Sequence, residues 1–121
     1  MTRPELHTAL DQLVYECHQN SVLHGFYDGP PFNFGEKIAL IHSELSEALE
    51  SARKDPNKRD EHCPDFSNVE IELADAIIRI YDLAGYFCGE GDPEVPFNLP
   101  GAILAKMEYN KTRPYKHGKT F

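Results

Sequence analysis

The residues best placed for chemistry are four carboxylates in two pairs, Glu44 with Glu47 and Glu72 with Asp75, each pair three positions apart. On a helix, residues three apart are surface neighbours, so two like charges there repel. Glu44 and Glu47 flank an apolar stripe made of Ile38, Ile41, Leu45, Ala48, Leu49 and Ala52, whereas Glu50 falls on the far, solvated side. Glu72 and Asp75 repeat the device on the next helical segment, with Arg79 and Asp82 following on their flank. One such pair is ordinarily part of a solvated helix face. Two pairs beside the apolar stripes of adjacent helices would gather four carboxylates at one place, which is costly unless a divalent cation neutralises them. Mg²⁺ suits hard oxygen ligands and usually binds through carboxylates together with substrate phosphates. Mn²⁺ is able to substitute.

A second group of candidates lies downstream. Lys106 and Asn110 are four apart and share a helix face, and Arg113 follows about one turn later. They belong to a basic end: residues 106–121 carry five basic side chains against Glu108 alone, leaving seven basic and nineteen acidic in the rest of the chain. Such an end is either solvated or a source of phosphate ligands. Phe26, Tyr27 and Phe32 either stack on a base or pack together as a loop cluster. No G-x-x-x-x-G-K-[ST] loop is present, no Ser, Cys and His pattern suggests a covalent nucleophile, and the Glu-x-x-His of di-iron bundles is missing. His24, His42 and His117 carry no evident role.

Four helical segments must position these groups. The first runs from about Pro4 to Leu23, with Thr2 as N-cap. The stretch from His24 to Phe32 has two glycines and two prolines and reads as a loop. The second helix opens at Asn33, with Glu36 in the capping-box position, and stops at Asp55-Pro56. The third opens at Ser67 with Glu70 and reaches about Cys88; the fourth spans about Leu99 to Thr112, ahead of Pro114. Residues 115–121 read as a flexible or ligand-ordered tail. The third helix has two apolar stripes. Val69, Leu73, Ile77, Ile80, Ala84 and Phe87 read as the core stripe, and Ile71, Ala74, Ile78 and Tyr81 as a second. A helix apolar on two sides is buried on two sides, which four helices alone cannot arrange. The expectation is an all-α four-helix bundle completed by oligomerisation, a dimer or tetramer, with Ile71, Ile78 or Tyr81 in the interface.

Composition narrows the classes further. The 121 residues suit one domain over 1–121, with 105–121 as its basic C-terminal segment. A net charge of −8 argues against nucleic-acid binding, which needs basic surface. Apolar runs of three or four residues are far too short for a membrane span. Glu5, Asp11 and Glu16 interrupt any early apolar block, so no secretory signal is expected. Cys17, Cys63 and Cys88 are odd in number and far apart, as free thiols in a cytoplasmic protein would be.

Glu44-x-x-Glu47, twenty-four intervening residues and then Glu72-x-x-Asp75 resemble the signature of the MazG-like all-α nucleoside-triphosphate pyrophosphohydrolases. The surrounding wording is similar too, from Ala39 to Glu50 and from Glu70 to Arg79, as is the segment from Lys106 to Pro114. The resemblance covers about residues 33–119. It implies hydrolysis of a nucleoside triphosphate to the monophosphate and diphosphate, with Mg²⁺ held by Glu44, Glu47, Glu72 and Asp75. One of the glutamates, Glu44 or Glu47, would orient or deprotonate the attacking water. Lys106, Asn110 and Arg113 would contact the phosphates or sugar. Phosphoribosyl-ATP pyrophosphohydrolase is a relative with similar chemistry and the nearest alternative. From a different class, a non-catalytic helical module binding metal or nucleotide would show the same acidic pairs.

Overall fold

The computed structural model describes residues 1–90, 94 and 96–114. Four helices account for most of them: α1 (Arg3–Leu23), α2 (Phe34–Lys54), α3 (Asn68–Glu90) and α4 (Leu99–Lys111). No strand occurs among the described residues, and an isolated bridge pairs Arg59 with Ser67. The expected tail at 115–121, with His117, lies outside the described residues.

Local chemistry explains each helix start. Thr2 Oγ1 accepts from the Glu5 amide while the Glu5 carboxylate accepts from the Thr2 amide, so two otherwise unpaired donors are satisfied at once. Ser67 and Glu70 make the same reciprocal pair ahead of α3. Asn33 Oδ1 caps the Glu36 amide at 3.0 Å, and here only the forward half of the box forms among the described residues. The Glu36 side chain lines a cleft instead. Arg53 and Lys54 close α2, where cations complement the helix dipole. Between α2 and α3 the chain is pinned by Asn68 N–H donating to the Lys58 carbonyl and Asp60 N–H to the Phe66 carbonyl.

α3 lies between α1 and α2, its two principal partners, and α4 packs on α1. The approach of α3 to α1 is close because residue 85 is glycine. A β-carbon there would collide with His18 Cβ and Cγ and come within 3.2 Å of the Val14 carbonyl oxygen. Two polar links tie α4 to α1: His7 Nε2 to Asn98 Oδ1 at 3.0 Å, and Arg3 to Glu108 at 3.3 Å. The buried apolar side chains are few and mostly small: Val14, Ile41, Ala48, Ala76, Leu83 and Ala84.

The two stripes of α3 do not divide as their hydrophobicity suggests. Leu73 and Ile77, read as core, are 45% and 50% exposed, and Leu45 and Leu49 of α2 are 46% and 53% exposed. Ile71 and Tyr81, assigned to an interface, are half-buried within the chain, while Ile78 faces a cleft. Periodicity locates apolar faces, but the contact geometry of α1 and α2 decides which one is covered. The result is a layer of three helices with an acidic cleft on one side of α3 and an apolar face on another.

Candidate functional site

Glu44, Glu72 and Asp75 each offer a carboxylate oxygen, and these atoms lie within 4.8 Å of one another. Glu72 also stands within hydrogen-bonding reach of Glu47 as well as Glu44. The approach of α2 and α3 therefore joins three of the four expected carboxylates, Glu44, Glu72 and Asp75, while Glu47 is exposed and enters only as a neighbour of Glu72. Burial, then the hydrogen bonds and charges of Glu47 and Glu44, push the Glu72 carboxyl from the ordinary 4.5 up to about 7. Near neutral pH Glu72 is therefore only partly ionised among its acidic neighbours. Asp75 is also raised, by burial first and next by the Glu44 charge, with Arg79 opposing and Asp60 of the α2–α3 loop adding to the effect. This all-oxygen donor set is one that could hold a metal ion.

Glu44 and Asp75 form the wall of a cleft of about 480 Å³ between α1 and α2. Its cations are Lys37 and Arg79. Arg79 Nε donates to Glu44 Oε1 at 2.9 Å. Across the cleft, Asp82 Oδ1 is 2.9 Å from both His18 Nδ1 and the Tyr27 hydroxyl, which donates to it. Burial, followed by the bond to Asp82, pushes the Tyr27 hydroxyl well up.

A second cavity of about 490 Å³ adjoins the first, sharing Phe26, Glu36 and Lys37. Gly25 takes a φ of 81°, a left-handed turn that suits glycine and folds the following loop back on α3. Tyr27 and Phe32 each stack on Tyr86, with centroid distances of 5.4 and 3.9 Å. The loop aromatics therefore form a cluster, with Phe26 left 69% exposed.

Lys106, Asn110 and Arg113 do not join the carboxylates within the chain. They are exposed on α4 and just beyond it, and they line neither cavity. Lys106 Nζ lies 4.5 Å above the Tyr109 ring, with the Arg113 guanidinium 5.8 Å from the same ring. His42 is exposed, and His24 Nδ1 bonds the Asn20 carbonyl at 2.8 Å. Lys37 and His18 escaped the sequence reading. A signal existed for Lys37, which precedes Glu44 by seven residues, two helical turns on one face; His18 had none, because its partners come from α3 and a loop.

No helix among the described residues is long and apolar enough to cross a membrane. Comparison of the chain with protein-family models, with characterised proteins and with solved structures finds no match.

Proposed function

We propose that this chain is a Mg²⁺-dependent nucleoside triphosphate pyrophosphohydrolase, converting a (d)NTP and water to the (d)NMP and diphosphate. The observation that supports the reading is the convergence of Glu44, Glu72 and Asp75 beside an open cleft, with Glu47 next to Glu72. The resemblance of the carboxylate spacing and of the segment from Lys106 to Pro114 to the MazG-like enzymes supports it. Mg²⁺ bound there supplies a Lewis acid and clamp for the polyphosphate. Glu44, Glu72 and Asp75 would hold the cation, with Glu47 beside Glu72. A glutamate not consumed by ligation orients the water at the α-phosphorus. The two connected cavities accommodate the rest of the nucleotide.

Hydrolysis in ¹⁸O-labelled water tests the bond that breaks. Label in the nucleoside monophosphate is the expected result; label in orthophosphate, with nucleoside diphosphate as co-product, refutes it. A panel of the eight common NTPs and dNTPs identifies the base, and a phosphoribosyl-ATP arm separates that alternative. Binding of Mg²⁺ and nucleotide with no turnover on any of them would leave the non-catalytic module.

Self-association belongs to the same proposal. Leu45, Leu49, Leu73 and Ile77 are about half exposed on neighbouring helices, and a second copy presenting the same face would cover them. Sedimentation should show a dimer or larger species at micromolar concentration; a stable monomer refutes it.

A further inference from the structure

Resting on that reading, we infer that Lys37 and Arg79 are the cations that hold the polyphosphate in this cleft, Arg79 being a displaceable counter-ion of Glu44. A polyphosphate entering a cleft walled by Glu36, Glu44, Asp75 and Asp82 meets repulsion unless positive groups stand inside it. The cations of α4 line neither cavity of the chain, whereas Lys37 and Arg79 line the one that contains Glu44 and Asp75. Lys37 is half-buried and sits 4.5 Å above the Tyr27 ring, yet among the described residues it makes no ion pair in these acidic surroundings. Its amine is held by an aromatic face at the wall shared by the two cavities, open to an anion.

Arg79 is differently placed. Its Nε–H is committed to Glu44, whose side chain is only 13% exposed, while the guanidinium side chain itself is 42% exposed. A guanidinium carries five N–H donors in a planar fork, so one bond to Glu44 leaves most of them for a second partner. A cation bound by Glu44 competes with Arg79 for the same oxygen. Once displaced, the guanidinium, four residues from Asp75 on α3, would be free for the bidentate phosphate contact that its planar fork favours. Arg79 thus opposes the metal alone and favours metal with phosphate.

Opposite signs make the test. Isothermal titration is run with Mg²⁺ alone and with magnesium pyrophosphate, on the full chain and on the variants Arg79→Gln, Arg79→Lys and Lys37→Gln. Arg79→Gln should bind Mg²⁺ alone several-fold tighter and magnesium pyrophosphate about 10-fold or more weaker, the weight of a charge-assisted hydrogen bond. Arg79→Lys should keep the wild-type Mg²⁺ affinity more nearly and recover part of the pyrophosphate binding. Lys37→Gln should leave Mg²⁺ alone unchanged and weaken pyrophosphate by a similar factor. Unchanged or weaker Mg²⁺ binding in Arg79→Gln, or wild-type pyrophosphate affinity in both Gln variants, overturns the inference. The enzyme reading fails separately: a wild-type chain that binds magnesium pyrophosphate through these residues but hydrolyses no nucleotide keeps the subsite and loses the activity. A wild-type chain that turns over while both Gln variants bind normally does the reverse.

Discussion

Replacing Glu72 by glutamine should make the metal-free protein more stable at pH 8, and by an amount the site geometry sets. The folded chain holds the Glu72 proton up to about pH 7, whereas the unfolded chain releases it near 4.5. Between those values the folded state binds more protons, so stability falls as pH rises. With about 1.36 kcal/mol for each pH unit over that window, the ceiling is about 3.4 kcal/mol. The cluster opens to solvent, and screening brings the expected loss to about 1–2 kcal/mol. Urea denaturation in EDTA at intervals from pH 5 to pH 8 should show this decline in the wild type. Glu72→Gln cannot ionise and should lack that component, so the two curves meet near pH 5 and diverge toward pH 8. Saturating Mg²⁺ should lift the wild type at pH 8, because it binds the folded state alone. Parallel curves for wild type and variant would refute the claim that Glu72 is forced to carry a proton by its neighbours.

Glu47→Gln should lower turnover about 100-fold or more with the fold intact, since an exposed member of a repelling cluster contributes to chemistry and not to core packing; full activity at saturating Mg²⁺ would remove Glu47 from the site. Gly85→Ala should destabilise the protein by about 1–2 kcal/mol, the overpacking cost against His18 and Val14 less the helix-propensity gain of alanine; an unchanged urea midpoint would mean that α1 and α3 part without cost. Deleting residues 113–121 should leave the helical circular dichroism unchanged, because α4 ends at Lys111; loss of the folded signal would make this segment structural.

Helix placement was legible in the sequence because its determinants are local. Thr2, Asn33 and Ser67 cap within three residues of themselves, and Pro56 lies just beyond the Asp55 C-cap, so all four helices appear where the caps and breakers put them. The pairing of carboxylates was legible for the same reason. Spacing within each helix puts Glu44 beside Glu47 and Glu72 beside Asp75, and each flanks an apolar stripe that must face inward or toward a partner.

What the tertiary structure decided is everything that depends on the relative rotation of the helices. Leu73, Ile77 and Ile80 are as apolar as any core residue, yet α1 and α2 meet α3 on other faces and leave these outside. The pairing of Arg79 with Glu44, thirty-five residues apart, exists only because α2 and α3 run antiparallel in this register. His18 meets Asp82 only because Gly85 lets α1 come close. The phosphate contacts expected from the basic end, Lys106, Asn110 and Arg113, stand on or just beyond an α4 packed against α1 and do not line the cleft that Lys37 lines. Periodicity assigns a residue to a face of its own helix. Which face meets which is set by packing across the whole chain, and a sequence read one segment at a time contains no term for it.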